Sequence, residues 1–246
     1  MTLNQRRRTL FVASGLEPTP VHGTWDDLYR TITAGTYATD YSIGDVLPLD
    51  LGSQGVVNAV IVGFNKDDKA DDSGKAPISF VAQYLLATNQ RFNPQRAGSS
   101  GNYTDGTGTI GGWGSSEIRT YVQSTIKALF PANVLSHIVS VKKYSMIYNT
   151  AGSKVSNDET SDDVWIPSYY EMNNRTGYES SGPHYSPFSS DASRIKNKGE
   201  TATKYWLRSA GTSTNNPCVV TNTGSISGGN TTAQTATAIL IGFCIG

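Results

Sequence analysis

The sequence predicts an α+β fold, and three observations support that class. Short runs rich in Val, Ile and aromatic residues are separated by long polar loops, which is typical of short strands with irregular connections. Few segments have the apolar spacing of an amphipathic helix. The chain has 246 residues, of which 37% are hydrophobic, enough to bury a sizeable core. Few helices with many short strands indicate α+β.

The first predicted elements form an N-terminal arm, residues 1–36, in front of a single domain at 37–246. A short helix is predicted over residues 24–34, because Thr24 is a candidate N-cap and Gly35 can end the helix. The apolar stretch at residues 10–13 is shorter than the core of a signal peptide. We therefore expect no signal peptide and synthesis in the cytoplasm.

Strands follow the arm. Residues 45–51 are predicted as an edge strand, because Pro48 has no N–H for a sheet hydrogen bond. Residues 55–64 are predicted as the strongest strand, since they are rich in Val and Ile, and residues 77–86 are predicted as another strand. The aspartates within residues 67–72 are predicted to lie in a solvated turn, with a loose calcium site as the less favoured alternative.

The middle of the chain carries the clearest helix, predicted over residues 115–130 from its Ser cap and its regular apolar positions. A helical turn at 132–137 and a strand at 138–144 are predicted next. Residues 149–163 are predicted as a polar loop and residues 173–203 as a long irregular segment.

Four more strands are predicted towards the C-terminus, at residues 164–168, 205–209, 217–221 and 236–245. Residues 209–246 contain no Asp, Glu, Lys or Arg. The last strand should dock in the sheet and hold the polar residues before it at both ends. An uncharged surface of Asn, Ser and Thr that is held in this way suits adaptable hydrogen bonding.

Charge and motifs exclude several functions. Lys and Arg total 20, as do Asp and Glu, so overall charge does not drive binding to nucleic acid or membranes. No apolar run reaches the roughly 20 residues of a membrane helix. Residues 106–111 match G-x-G-x-x-G, but no strand precedes them and no helix opens within them, so a nucleotide site is not predicted. We expect no nucleic-acid partner, no membrane insertion and no cofactor.

Metal and thiol chemistry are equally unsupported. The three histidines lack metal-ligand spacing, and His137 is interpreted as a structural partner. No motif supports calcium binding. Cys218 and Cys244 are predicted as buried thiols, with a disulfide or a reactive pair left open. We therefore predict no metal site and no enzyme activity.

Four segments in order resemble a known family. They are W-G-S-S-E-I-R at residues 113–119, V-W-I-P-S-Y-Y-E-M at 164–172, Y-W-L-R-S-A-G at 205–211 and I-G-F-C-I at 241–245. The chain resembles DUF6273, a family of domains common in gut Firmicutes and their phages. That family is similar to the C-type-lectin or formylglycine-generating-enzyme fold. The resemblance implies one C-type-lectin-like domain behind the N-terminal arm.

These segments also supply the candidate structural residues: Trp113, Arg119, Trp165, Trp206 and Arg208. From its sequence neighbours in W-L-R-S, Arg208 is predicted to be buried and bonded to backbone carbonyls and acidic side chains. A contact with a ligand is the alternative. Many relatives end in G-V-R-P-A-F, whereas residues 238–243 here read A-I-L-I-G-F. A role for that arginine therefore does not carry over to this chain.

The resemblance implies a function in recognition. Proteins with this fold include targets of diversity-generating retroelements, in which adenine-directed mutation varies codons near the 3′ end of the gene. Asn among Ser and Thr fits that chemistry, and an ordinary polar loop is the alternative. The candidate ligand-binding residues are Ser209, Thr212, Ser213, Thr214, Asn215, Asn216, Asn222, Ser225, Ser227, Asn230, Thr231 and Thr232.

We therefore expect a phage or prophage protein, synthesised in the bacterial cytoplasm and displayed on the virion surface as a receptor-binding adhesin. Its partner would be a host-cell surface protein or glycan, contacted also by exposed aromatic residues such as Tyr178 and Tyr185. Residues 1–36 would bind a virion structural protein or support a homo-oligomer. The alternatives are a capsid or tail decoration protein without variable ligand binding, and a hydrolase for which no catalytic constellation is evident.

Overall fold

The fold is taken from a computed structural model that describes residues 23–98, 102–173, 175 and 177–246. The start of the predicted arm, including the apolar stretch at residues 10–13, lies outside the described residues. The described helices are α1 Trp25–Ala34, α2 Tyr37–Asp40, α3 Glu117–Tyr121, α4 Ala132–Leu135, α5 Tyr169–Asn173 and α6 Asp191–Arg194. Within this part of the chain, no helix is long and apolar enough to cross a membrane.

Helix α1 confirms the prediction made from its caps. The Thr24 side chain accepts a hydrogen bond from the backbone N–H of Asp27, and the Asp27 carboxylate accepts from the N–H of Thr24. Gly35 ends the helix in the left-handed conformation, with φ of 73°. Trp25 is buried, and its indole N–H donates to the Pro48 carbonyl at 2.8 Å. This helix therefore packs as part of the domain's core.

Four antiparallel sheets are formed by the residues that the structure describes. The largest has the strand order β1-β2-β3-β12-β6, β9 to β11 form a sheet in the order β11-β10-β9, and β4-β5 and β7-β8 are hairpins. The strands are β1 Val46–Leu47, β2 Ala59–Phe64, β3 Ile78–Ala82, β4 Val141–Tyr148, β5 Lys154–Asp162, β6 Val164–Trp165, β7 Asn197–Lys198, β8 Thr201–Ala202, β9 Tyr205–Ser213, β10 Asn216–Val220, β11 Ile226–Ser227 and β12 Gly242–Ile245.

The mixed helix and sheet content is compatible with the predicted α+β class. The predicted edge strand at residues 45–51 is shorter, since only β1 is extended, but it does lie at the sheet edge. The last strand docks inside the large sheet, between β3 and the edge strand β6. Phe243 of this strand packs on Phe80 with ring centroids 5.3 Å apart.

Two predictions of local structure are wrong. Residues 149–163 contain strand β5, which pairs with β4 on both sides of one register shift between Ser145 and Ile147. Most of its side chains are exposed or half-exposed, so the apolar alternation that marks a strand is missing. The predicted helix at 115–130 is regular only in α3 and continues as a π turn and a 3-10 turn. The hydroxyls of Thr120 and Ser124 bond carbonyls one turn back, which bends helices.

Candidate ligand-binding surface

The hairpin of β9 and β10 carries part of the polar stretch in which the sequence predicts ligand-binding residues. We call residues 212–216 and 228–230 the hairpin surface. Thr212 donates from its N–H and its hydroxyl to the Gly228 carbonyl, at 2.8 and 3.1 Å. The Asn216 amide donates to the Gly229 carbonyl at 2.6 Å. These bonds fasten the two segments side by side.

A glycine-rich loop at residues 106–111 supports the tip of the hairpin. The N–H of Thr109 donates to the Thr214 carbonyl at 2.7 Å, and its hydroxyl donates to the Ser213 carbonyl at 3.2 Å. A Cβ on Gly108 would lie 2.2 Å from the same Thr214 oxygen, and this glycine has φ of +53°. The G-x-G-x-x-G match thus supplies a glycine for close packing against the hairpin.

Asn215 belongs to the framework of the surface. Its side-chain oxygen accepts a hydrogen bond from the N–H of Ala97 at 2.8 Å, and its carbonyl accepts from the N–H of Ala233 at 2.9 Å. The base of the hairpin is equally tight, because a Cβ on Gly211 would lie 2.0 Å from the Gly228 carbonyl oxygen. The backbone of the hairpin surface is therefore held from several sides.

The twelve candidate ligand-binding residues do not form one surface. Seven lie on or beside the hairpin surface: Thr212, Ser213, Thr214, Asn215, Asn216, Ser227 and Asn230. Asn222 and Ser225 lie in a turn at the far end of β10, which we call the distal turn (residues 221–225). β10 has five residues, and a rise of about 3.3 Å per residue separates the two ends by roughly 15 Å.

The remaining candidates have little or no free side chain. Ser209 is fully buried, and its hydroxyl donates to Glu179 at 2.7 Å and accepts from the N–H of Tyr169 at 2.8 Å. Thr231 is 4% exposed and accepts from Lys204. Thr232 is half-buried, and its hydroxyl lies 3.1 Å from that of Thr235.

Tyrosines border the hairpin surface. The rings of Tyr169 and Tyr178 have centroids 4.1 Å apart. The Tyr178 hydroxyl lies against Gly228, where an added Cβ would come within 2.7 Å of it. Burial raises the pKa of Tyr178 to about 12, so this side chain stays a neutral hydroxyl. The prediction that Tyr185 is exposed is wrong, since this residue is fully buried in the core.

A polar cleft of about 570 Å³ is lined in part by Gly111 of the glycine-rich loop. Asp105, Arg119, Asp158 and Glu159 are among its lining residues. Burial and the neighbouring charge of Asp105 raise the pKa of Asp158. Among the residues that the structure describes, no three His, Cys, Asp or Glu side chains are grouped so that they could hold a metal ion.

The five predicted structural residues all lie within the framework. Trp113 and Arg119 converge on Asp162, with their side-chain nitrogens 2.8 and 2.7 Å from its two carboxylate oxygens. Asp162 is 1% exposed. The indole N–H of Trp206 donates to the Gln90 carbonyl at 2.8 Å. These bonds tie the helix α3 region to the end of β5 and tie β9 to the segment around Gln90.

Arg208 confirms its prediction as a buried structural arginine. It is 1% exposed, and it makes a two-pronged ion pair with Glu171 at 2.6 and 2.8 Å. It also donates to the carbonyls of Ile166 and Tyr144 at 2.8 and 3.1 Å. Burial alone raises the pKa of Glu171, but the charges of Arg208 and Lys143 outweigh it and lower this pKa to about 2.

This pair belongs to a buried ionic cluster, which consists of Asp67, Lys143, Glu171, Tyr185 and Arg208. The Lys143 ammonium lies 2.5 Å from Asp67 and 3.0 Å from Glu171. Burial lowers the pKa of Lys143, but the two carboxylates outweigh this and raise it. The two acids and two bases balance in charge, so the cluster is neutral as a whole.

The sequence prediction missed this cluster. Asp67 was expected in a solvated turn, which is wrong, because it is fully buried against Lys143. One signal was available: Lys143 alternates with Val141 and Ser145 in β4, and all three point inward. No local pattern marks Glu171 or Glu179, which are buried by contacts with distant strands.

Both cysteines are buried and free, as predicted. Burial raises the pKa of each thiol, so neither is activated as a nucleophile. The structural interpretation of His137 is also confirmed, because its ring stacks on Tyr29 with centroids 3.6 Å apart.

Comparison with known families agrees with the four sequence segments. The model of a domain of unknown function, DUF6273, matches residues 82–241, which is about two thirds of the chain. The chain belongs to the DUF6273 family. The DUF6273 match includes the hairpin surface, Lys143, Glu171 and Arg208, whereas α1, β1, β2 and Asp67 precede it. No curated protein matches the chain, and no solved structure matches it.

Proposed function

We propose that this DUF6273 domain is a recognition module whose hairpin surface contacts the ligand. The supporting observation is the combination of exposed and half-exposed polar side chains with a backbone held by hydrogen bonds from the surrounding segments. A surface that is already ordered loses little conformational entropy when a partner binds. Its amides and hydroxyls can donate and accept hydrogen bonds, and the bordering tyrosines add contact area.

The proposed partner is a host-cell surface protein or glycan, and the proposed context is a phage virion. In this proposal the domain has a C-type-lectin-like scaffold, and residues 1–36 join it to a virion structural protein or to further copies of the chain. Several copies on one particle would strengthen weak individual contacts. The proposal requires no cofactor and no catalysis.

We further propose that the exposed positions of the hairpin surface are varied by a diversity-generating retroelement. Thr212 and Asn230 are exposed, and the N–H of Thr212 would bond the Gly228 carbonyl whichever side chain this residue carries, so both positions can vary. Gly211 cannot vary, because its surroundings leave no space for a side chain. Ser209 cannot vary either, because its buried hydroxyl is bonded to Glu179 and to the N–H of Tyr169. Sequencing of the 3′ end of the gene in many isolates tests the proposed diversification. The codons of Thr212 and Asn230 should vary, and those of Gly211 and Ser209 should not.

A matched pair of substitutions tests the binding surface. Asn230→Arg adds bulk and charge to the hairpin surface, whereas Asn222→Arg makes the same change at the exposed distal turn. Labelled protein is applied to a panel of gut Firmicutes cells, and bound fluorescence is measured. We expect Asn230→Arg to lose at least about tenfold in affinity, equivalent to about 1.4 kcal/mol, and Asn222→Arg to bind as the original protein does.

The same experiment distinguishes ligand binding by the hairpin surface from the alternative function. If neither variant changes cell binding, or if only Asn222→Arg does, the hairpin surface is not the contact face. A protein that binds no cells but is incorporated into particles through residues 1–36 would instead be a capsid or tail decoration protein.

A further inference from the structure

We propose that Lys143 and Asp67 become joined by an amide bond between their side chains, with Glu171 as the catalytic group. The Lys143 nitrogen lies 2.5 Å from Oδ1 of Asp67 and 3.0 Å from Oε1 of Glu171. Asp67 follows β2 and Lys143 lies in β4, so the bond would link two segments 76 residues apart in the chain. This inference does not depend on the proposed binding function.

The surroundings of the pair favour condensation over a lasting ion pair. Both side chains are fully buried. The Trp165 ring lies 3.4 Å from the ammonium nitrogen, and the Tyr185 hydroxyl accepts a hydrogen bond from it at 3.0 Å. Two buried charges carry a desolvation cost that a neutral amide avoids. A site closed to solvent also protects the amide from hydrolysis.

The groups around Asp67 are arranged for attack on its carboxyl carbon. Oδ2 accepts hydrogen bonds from the hydroxyls of Ser79 and Tyr185, the latter at 2.9 Å. These donors would stabilise negative charge on Oδ2 in a tetrahedral intermediate. Oδ1 faces the lysine nitrogen and is the oxygen that leaves.

The reaction balances within the cluster. One proton passes from the Lys143 ammonium to Oδ1 of Asp67, and the resulting amine attacks Cγ. Glu171 then removes a second proton from the nitrogen and delivers it to Oδ1. Oδ1 departs as water, Oδ2 becomes the amide oxygen, and the nitrogen keeps one hydrogen. No oxidant, reductant or further reactant is needed.

Another close lysine–aspartate pair provides an internal control. The Lys127 nitrogen lies 2.6 Å from a carboxylate oxygen of Asp163, nearly as close as in the proposed bond. These side chains are 36% and 28% exposed, so water solvates their charges and competes with condensation. We expect no bond there, which makes burial with a third carboxylate the deciding difference.

Mass spectrometry of the denatured full-length chain tests the proposal. We expect a mass lower than the sequence mass by one water. Trypsin cannot cut after an acylated lysine, so residues 143–154 should stay in one peptide that is joined to residues 67–69. An unmodified mass, or ordinary cleavage after Lys143, would overturn the proposal. A succinimide at an aspartate also loses water, but it would not join these two peptides.

Two variants sharpen the result. Lys143→Arg retains the positive charge but cannot form the amide, so it should have its full sequence mass. Asp67→Asn can form the same amide by losing ammonia, and its product should have the mass of the cross-linked original protein. If Lys143→Arg still loses one water, the loss arises elsewhere and the assignment to Lys143 is wrong. The mass of the unsubstituted protein decides the matter even if a variant fails to fold.

Discussion

The ion pair between Arg208 and Glu171 offers the sharpest test of what holds the domain together. Arg208→Met keeps much of the side-chain length but removes the guanidinium. The Glu171 carboxylate would lose two charge-assisted hydrogen bonds, and the carbonyls of Ile166 and Tyr144 would lose their donors. Because all these groups are buried, solvent cannot replace the lost bonds.

The expected magnitude follows from the pKa of Glu171 and from burial. Arg208, Lys143 and the N–H of Ser168 together lower the pKa of this carboxyl from 4.5 to about 2 in the folded protein, and the three share the corresponding stability of about 3 kcal/mol at neutral pH. Removing one partner of a buried pair typically costs about 3–5 kcal/mol. We therefore expect Arg208→Met to lower the free energy of unfolding by about 3–5 kcal/mol at pH 7.

The pH dependence of unfolding provides the second readout. A lowered carboxyl pKa contributes stability that is present above the unfolded value near 4.5 and is lost as the pH falls towards 2. Without Arg208 the folded pKa of Glu171 rises, so less stability is lost over this range and the loss is complete at a higher pH.

Chemical denaturation between pH 2 and 7 measures both effects. Arg91→Met is the matched control, because Arg91 and Glu117 form an exposed pair, at 46% and 31% exposure, that should contribute at most about 1 kcal/mol. If Arg208→Met and Arg91→Met lower stability equally, or if the pH dependence of Arg208→Met is unchanged, the assigned role of the pair is refuted.

Two further predictions concern packing. Gly211→Ala should lower the free energy of unfolding by at least about 2 kcal/mol, because the added Cβ would overlap the Gly228 carbonyl. Gly229→Ala is the control. Its added Cβ would lie 3.4 Å from the nearest atom, the Thr212 hydroxyl oxygen, so the free energy of unfolding should change by less than about 0.5 kcal/mol. Equal thermal unfolding of the two variants would contradict this packing. Cys218 and Cys244 should resist a thiol reagent in the folded protein and react only after denaturation; rapid labelling of the native protein would contradict their burial.

The sequence predicts most reliably the elements whose causes are local. Helix α1 begins and ends where Thr24 and Gly35 place it, because the caps act through neighbouring backbone groups. β2 and β3 lie inside the predicted strands, since their apolar residues reflect burial. The same signals fail for β5, whose polar residues pair with β4 without entering the core.

Some features of the candidate site can be predicted from the sequence, and others depend on strand pairing. The uncharged composition of residues 209–246 was evident from the sequence. Which of these side chains share a surface depends on the register of β9 and β10, which places Asn216 and Asn222 at opposite ends of a strand. Composition cannot encode that separation, because it is set by hydrogen bonds between strands.

The sequence by itself determined the α+β class, the family, the caps of α1 and the buried state of Arg208 and both cysteines. Only the tertiary structure brought Asp67, Lys143 and Glu171 together, from positions 76 and 28 residues apart. Only Lys143 carries a local signal, its place in the alternation of β4, and burial of each charged residue becomes favourable only when its opposite charges arrive from distant elements. The buried ionic cluster is therefore a property of the folded chain, whereas the caps are properties of a few adjacent residues.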